Sequence, residues 1–243
     1  MYLIDKDRED PRRRVLIQML GAGLLGAASP AAMAQVANIF GSKPGRLPAG
    51  QSIYRISGTA TVNDKPATLG TKVNPGDTVK TAKDSELVFV VNTQAMILRA
   101  NSNVVIEAEK KADSLIVSGL RMLTGALLSV SRNQPMRLRT PTATIGIRGT
   151  GFYVEAEEEQ SYFCTCYGTT EVSNNAKPEA KETITATQHD RPVYIGKDAS
   201  KPVVNGPFIN HTDLELALIE SLVGRTTPFA FGKDAYNAPR RNY

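Results

Sequence analysis

Reactive chemistry in this 243-residue chain is concentrated in four side chains: Cys164, Cys166, His189 and His211 are its only cysteines and histidines. All four fall within 48 consecutive residues. Thiolates and imidazoles together are the donor set of a closed tetrahedral metal site, with zinc as first choice and copper or iron as alternatives. The Cys-x-Cys spacing in "YFCTCYGTTE" adds a geometric argument. On a strand, residues two apart project from one face about 6.5 Å apart along the backbone. A disulfide requires Cβ atoms about 3.5 to 4.5 Å apart, so a bridge between these neighbours demands a sharp bend. Two thiolates on a metal at about 2.3 Å need their sulfurs only about 3.7 Å apart, which converging side chains supply. Three readings stay open: a metal site, a strained, redox-active or intermolecular disulfide, and two small buried thiols. His189 alone reads as a turn residue and His211 alone as part of a helix start. Each lies at an element boundary, where a loop can aim its ring inward.

No G-x-S-x-G, H-E-x-x-H, phosphate-loop or dinucleotide fingerprint occurs, so no catalytic residue is assigned and the chain reads as a non-enzyme. The acidic run of Glu155, Glu157, Glu158 and Glu159 reads as a solvated turn after a strand. A formal charge of +5 is scattered among acidic residues, which excludes a nucleic-acid footprint.

The elements that must position these groups are short β-like runs broken by turns: "TATV" then "NDKP", "ELVFVV" then "NTQ", "AMIL" then "RANSN", "VVIEAE" then "KKADS". They predict an all-β fold, a β-sandwich or β-roll of short strands. In "NPGDTVKT", Pro75 pre-sets the first turn angle, Gly76 supplies positive φ, and Asp77 caps the turn. In "TPTATIGIRGTGFYVE", Thr144, Gly146 and Arg148 alternate with Ile145 and Ile147 in a half-buried strand with an abrupt glycine-rich end, and Gly146, Gly149 and Gly151 predict a second backbone passing close by. "EVSNNAKPEAKE" reads as a polar surface loop before a short β-like "TITAT". One C-terminal amphipathic helix is expected near 212–223, opened by a Thr212/Glu215 capping box. Leu214, Ala217, Leu218, Ile219, Leu222 and Val223 form its apolar stripe. Phe229 and Phe231 are expected to pack back on the core.

The first 34 residues have the form of an export signal. Arg12, Arg13 and Arg14 precede an apolar stretch from Val15 to Ala28, and Ala32-Met33-Ala34 supplies a small-x-small cleavage pattern. Cleavage is expected after Ala34, by a twin-arginine or general secretory route, giving a periplasmic protein with no membrane span in its mature form. Residues 35–52 read as a linker, 53–175 as a β domain, and 176–243 as a C-terminal extension carrying the helix.

The β domain resembles the FecR family. "LGTKVNPGDTVKTAKDSELVFVV", "LRANS", "MLTGALLSV" and above all "TPTATIGIRGTGFYVE" follow that family's order of motifs, at Gly76-Asp77, Ser85 to Val91, Gly125 to Val130 and Thr140 to Val154. The resemblance implies an all-β extracytoplasmic module. In signalling members such a module connects a cytoplasmic anti-sigma segment and a membrane helix to an outer-membrane receptor, whereas this sequence reads as signal, module and a different tail. The preferred expectation is therefore an exported binding or scaffolding protein that meets another envelope protein or an envelope ligand. A metal-binding or redox envelope protein built on the Cys/His cluster is the alternative, and a FecR-type signal transduction regulator the third.

Overall fold

The structure is a computed structural model that describes residues 45–198, 200 and 203–229. The expected signal, most of the linker, and Phe231 lie outside the described residues. Among the described residues, thirteen strands and one helix follow in order: β1 (Ile53–Ser57), β2 (Ala60–Val62), β3 (Lys65–Pro66), β4 (Thr78–Thr81), β5 (Glu86–Val91), β6 (Gln94–Leu98), β7 (Asn103–Lys111), β8 (Ser114–Arg139), β9 (Ala143–Ala156), β10 (Gln160–Asn174), β11 (Lys177–Ala186), β12 (Val193–Gly196), β13 (Val204–Asn205) and α1 (Asp213–Leu222). All pairings are antiparallel within one open, branched sheet. Its main path runs β13-β12-β10-β9-β8-β7-β4-β2-β3, with β6, β5 and β1 branching from β8 and β11 from β10. The all-β expectation with one C-terminal helix holds, but three central strands are not short: β8 has 26 residues, β9 has 14 and β10 has 15.

Two side-chain clusters lie on opposite faces of these strands. Along β5, Leu87 and Phe89 enter one and Val88 the other; along β9, Phe152 and Val154 oppose Tyr153; along β10, Phe163 opposes Cys164 and Cys166. Burial on both faces explains why the run from Leu87 to Val91 is apolar without interruption. The second cluster is closed by α1, whose Leu216, Ile219 and Leu222 pack over β6 and β8. Each such side chain contributes about 1.5–3 kcal/mol when fully buried. The capping box is present as expected: Glu215 N donates to Thr212 Oγ1 at 3.2 Å and Thr212 N to Glu215 Oε2 at 2.9 Å. The buried stripe differs from the expected one, because Leu216 and a buried Glu220 face the sheet while Leu214 and Leu218 are half-buried.

Two further local expectations are corrected. "EVSNNAKPEAKE" is no loop but the tip of the β10–β11 hairpin, turning at Asn175-Ala176, with Thr183 and Thr185 exposed and Ile184 and Ala186 buried. The charges of Lys177, Glu179 and Lys181 are those of a solvated edge strand, which blunt it against further pairing. Strand β9 does not end at its glycines: it runs on to Ala156. No second backbone crowds Gly146 or Gly149. Gly149 instead takes a positive φ of 67° where the β9–β10 register shifts, and Gly151 leaves room for the Tyr167 ring.

Gly125 is the tightest of these positions. Its φ is +86°, and a Cβ there would lie 2.5 Å from Ser102 Cα, where Ser102 Oγ accepts the Ala126 N–H at 2.9 Å. Gly125→Ala is expected to lower stability by on the order of 2–4 kcal/mol, read as a shift of the denaturant midpoint with unchanged slope.

Candidate metal centre

Strand β10 delivers both cysteines to one place. Cys164 pairs opposite Tyr153, Thr165 opposite Phe152 and Tyr167 opposite Gly151, so Cys166 is the extra residue of a β-bulge. Such bulges re-aim side chains. The thiols are free and fully buried. His189 arrives from the turn after β11, where Asp190 accepts from Thr187 Oγ1 at 2.9 Å and the His189 N–H donates to Cys166 O at 2.9 Å. His189 itself has φ 54°, a left-handed conformation uncommon outside glycine. His211 is placed by the loop leading into α1, directly after Asn210, which has φ 63°, and directly before the Thr212 cap.

All four residues singled out from the sequence meet. Their donor atoms lie within 4.8 Å of one another. Cys164 Sγ is 3.4 Å from His189 Nδ1, Cys166 Sγ is 3.3 Å from His211 Nε2, and the two ring nitrogens are 3.1 Å apart. A tetrahedral zinc at about 2.3 Å from sulfur and about 2.0–2.1 Å from nitrogen sets donor separations of about 3.3–3.8 Å, so the three short pairs are near that spacing and the widest must close by about 1 Å. The far side of each ring is also committed. His189 Nε2 lies 2.8 Å from Asp213 Oδ1, and His211 Nδ1 lies 2.7 Å from Ile209 O. Carboxylate and carbonyl accept, so those nitrogens carry the protons and the inward pair, His189 Nδ1 and His211 Nε2, present lone pairs to each other. Two lone pairs at 3.1 Å repel unless a cation, proton or metal, sits between them.

Where no metal is bound, a proton on His189 takes that place. Burial opposes a charged His189, but the Asp213 hydrogen bond and the Cys164 sulfur outweigh it and hold the ring at about 9. Burial pushes Cys166 up, reinforced by Cys164. The same burial acts on Cys164, yet hydrogen bonds from Cys166, His189 and His211 overcome it and bring that thiol well below its usual value. A shell of rings encloses the site: Tyr153 stacks on His211 at 4.5 Å, and Phe208 lies 4.2 Å from His189 and 4.6 Å from His211. Cys164, His189 and Asp213 also align as nucleophile, base and orienting carboxylate, but Cys164 has no exposed surface to offer a substrate. Four protein donors without an open position suit a structural ion better than a catalytic one.

Residues 77–169 match the family FecR protein. The chain carries a FecR domain. Two solved structures are similar at low identity, crystal structures at 1.65 and 2.50 Å of a candidate anti-sigma factor from Parabacteroides distasonis, 18% and 16% identical with TM-scores of 0.43 and 0.42. Each alignment covers 53% of this chain and 58% of that one, so the match spans less than two thirds of those chains. No curated protein matches.

The FecR domain thus supplies Cys164 and Cys166 near the end of its matched span, whereas His189 and His211 come from beyond it. Asp213 escaped sequence reasoning because an acidic residue in the first turn of a helix reads as a partner of the helix dipole. It is buried, and its second oxygen accepts from Gln188 Nε2 at 2.6 Å. Asp213→Asn is expected to weaken zinc binding by about 10–100-fold, measured by competition with a chromophoric chelator. Glu155 was also missed. It is only 4% exposed, not solvated, because strand alternation puts it on the face of Tyr153, whose hydroxyl donates to it at 2.9 Å.

Proposed function

We propose that this chain is an exported FecR-domain protein of the cell envelope in which Cys164, Cys166, His189 and His211 hold one zinc ion. In this reading the ion is structural: it ties the C-terminal extension to the domain's last strands, and the domain serves as a binding or scaffolding unit, not as an enzyme. The observation that carries the metal assignment is the convergence of four buried donor atoms within 4.8 Å of one another, with Asp213 and the Ile209 carbonyl occupying the outer ring nitrogens. The Arg12-Arg13-Arg14 segment, the apolar stretch after it and Ala32-Met33-Ala34 support export. Among the described residues no helix is long and apolar enough to cross a membrane.

The test is one periplasmic preparation subjected to elemental analysis, thiol titration and intact mass measurement. The expected result is one zinc per chain, two thiols that react only after chelation, and an N-terminus at Gln35. Metal-free protein whose stability a chelator leaves unaltered would remove the zinc site, and a mass retaining residues 1–34 would remove cleavage by a signal peptidase.

A further inference from the structure

The bulge at Cys166 reopens a bond that straight-strand geometry closes. Residues two apart on a regular strand lie about 6.5 Å apart, beyond the reach of a disulfide. Strand β10 is not regular there: its register with β9 shifts between Thr165 and Tyr167 and again between Tyr167 and Thr169. A bulge bends and twists its strand, and Cys166 is the residue left out of the pairing. The two sulfurs lie within 4.8 Å of each other, and Cys166 Sγ turns back to 3.9 Å from the Cys164 carbonyl oxygen. Closing to a bonded pair at about 2.05 Å is therefore a movement of about 3 Å or less within one pocket. No other thiol competes. Cys164 and Cys166 are the chain's only cysteines and neither has exposed surface, so each has the other as its one partner and a bridge to a second molecule is blocked.

Disulfide and metal exclude each other. On zinc the sulfurs stand about 3.7 Å apart as thiolates, whereas in a disulfide they are bonded and uncharged. Oxidation leaves only two neutral imidazoles, half of a tetrahedral set. A small oxidant also has an approach. Tyr153 and Asn210 line a cavity of about 400 Å³. The Tyr153 ring stacks on His211 at 4.5 Å and Asn210 precedes His211 in the chain, so one ring separates the cavity from the cluster.

We infer that Cys164 and Cys166 are a redox site, which a peroxide closes into a disulfide with expulsion of the metal; this regulation rests on the zinc reading. One cysteine sulfur attacks a peroxide oxygen: an S–O bond forms, the O–O bond breaks and hydroxide leaves. The second thiolate attacks that sulfur: the S–S bond forms, the S–O bond breaks and a second hydroxide leaves. The two thiolates lose two electrons, the peroxide gains them, and Zn²⁺ departs with its charge unchanged. A dithiol reductant returns the two electrons and restores the donor set. The output is mechanical, because the entry loop of α1 loses its tie to β10 while the sheet stays paired.

Hydrogen peroxide added to the full chain, with zinc content measured beforehand, tests this. A chromophoric chelator follows zinc release, and the tryptic peptide 149–181 is weighed. That peptide holds both cysteines and no methionine, so oxygen gained there reports the thiols. The expected result is loss of the zinc, a peptide lighter by two hydrogens, hydrogen exchange in 207–222 about tenfold faster, and recovery of all three with dithiothreitol and added zinc. Zinc retained under peroxide that fully oxidises N-acetylcysteine, a peptide unchanged or gaining oxygen, or failure of the reductant to restore the site would each overturn the inference. In Cys166→Ala no such peptide is expected to lose two hydrogens; the same loss there would show that the mass change arises elsewhere and would overturn it too. A preparation without zinc removes the zinc reading by elemental analysis alone, and the peptide mass still decides the bridge: two hydrogens lost on oxidation support it, and an unaltered peptide overturns it.

Discussion

Chelation of the protein, or the substitution Cys164→Ser, is expected to lower the unfolding midpoint by on the order of 10 °C and to loosen residues 207–222 before the rest. A ligand held at about 1,000 times its dissociation constant adds about 4 kcal/mol to the folded state. For a body of this size each kcal/mol moves the midpoint by about 2–4 °C. The loss is local first because two of the four donors, His189 and His211, lie in loops, whereas Cys164 and Cys166 sit in the long strand β10, paired along β9. Without the ion, the inward nitrogens of the two rings must share a proton or separate, and His211 carries the start of α1 with it. Thermal unfolding with and without chelator gives the midpoint, and hydrogen exchange gives the order of opening. Equal protection of 207–222 and β8 after metal removal would show that packing alone holds the extension, and the clamp reading would fall.

Glu220→Gln is expected to cost about 3–5 kcal/mol, comparable to the loss expected on chelation, although Glu220 touches none of Cys164, Cys166, His189 and His211. Glu220 has no exposed surface, yet its two oxygens hold Arg132 at 3.0 Å and Arg225 at 2.6 Å and accept the Tyr167 hydroxyl. Burial and the neighbouring carboxylate push the Tyr167 phenol up, so it remains a donor. Arg132 also lies over the Tyr167 ring at 5.5 Å. Removing the negative charge leaves two half-buried guanidinium groups without the carboxylate they share and the Tyr167 hydroxyl without its charged acceptor, which is why one substitution is severe. Replacing Glu220, Arg132, Arg225 and Tyr167 together by Leu, Met, Met and Phe is expected to be close to neutral, because the desolvation cost disappears with the attraction and no buried donor is left unpaired. Urea denaturation of both variants separates the cases; a single variant within about 0.5 kcal/mol of the parent, the range of ordinary surface changes, would refute the argument.

Much of the site was legible because its chemistry is scarce. Two cysteines and two histidines in one chain, close in sequence and at element boundaries, leave few ways to be placed, and strand geometry already set the Cys-x-Cys pair on one face. The bulge at Cys166 was not legible, since it depends on the register with β9 and no residue type signals it. Strand β8 shows why lengths failed. Gly119, Gly125 and Pro135 look like breaks, but Gly125 bends the strand with a positive φ and Pro135 sits where the register with β9 shifts, so the pairing continues past each. Glu220 and Glu155 were hidden for a different reason. A carboxylate in an acidic run or an amphipathic helix is normally solvated, and only the tertiary partners of these two reveal that they are inside.

The positions of the donors along the chain also set a timetable. Cys164 and Cys166 come together within a local hairpin, but His189 closes a return of 25 residues onto Cys164, and His211 one of 45 onto Cys166. Local hairpins close in about 1–10 microseconds, whereas each distant return must first overcome the entropy of its loop. The site is therefore complete only after β11, β12 and the α1 entry loop have been laid down. A metal ion held as proposed would thus mark a chain complete through His211: before β11 has formed it can find only a pair of thiols, and before the α1 entry loop at most three donors, too few for a closed tetrahedral shell.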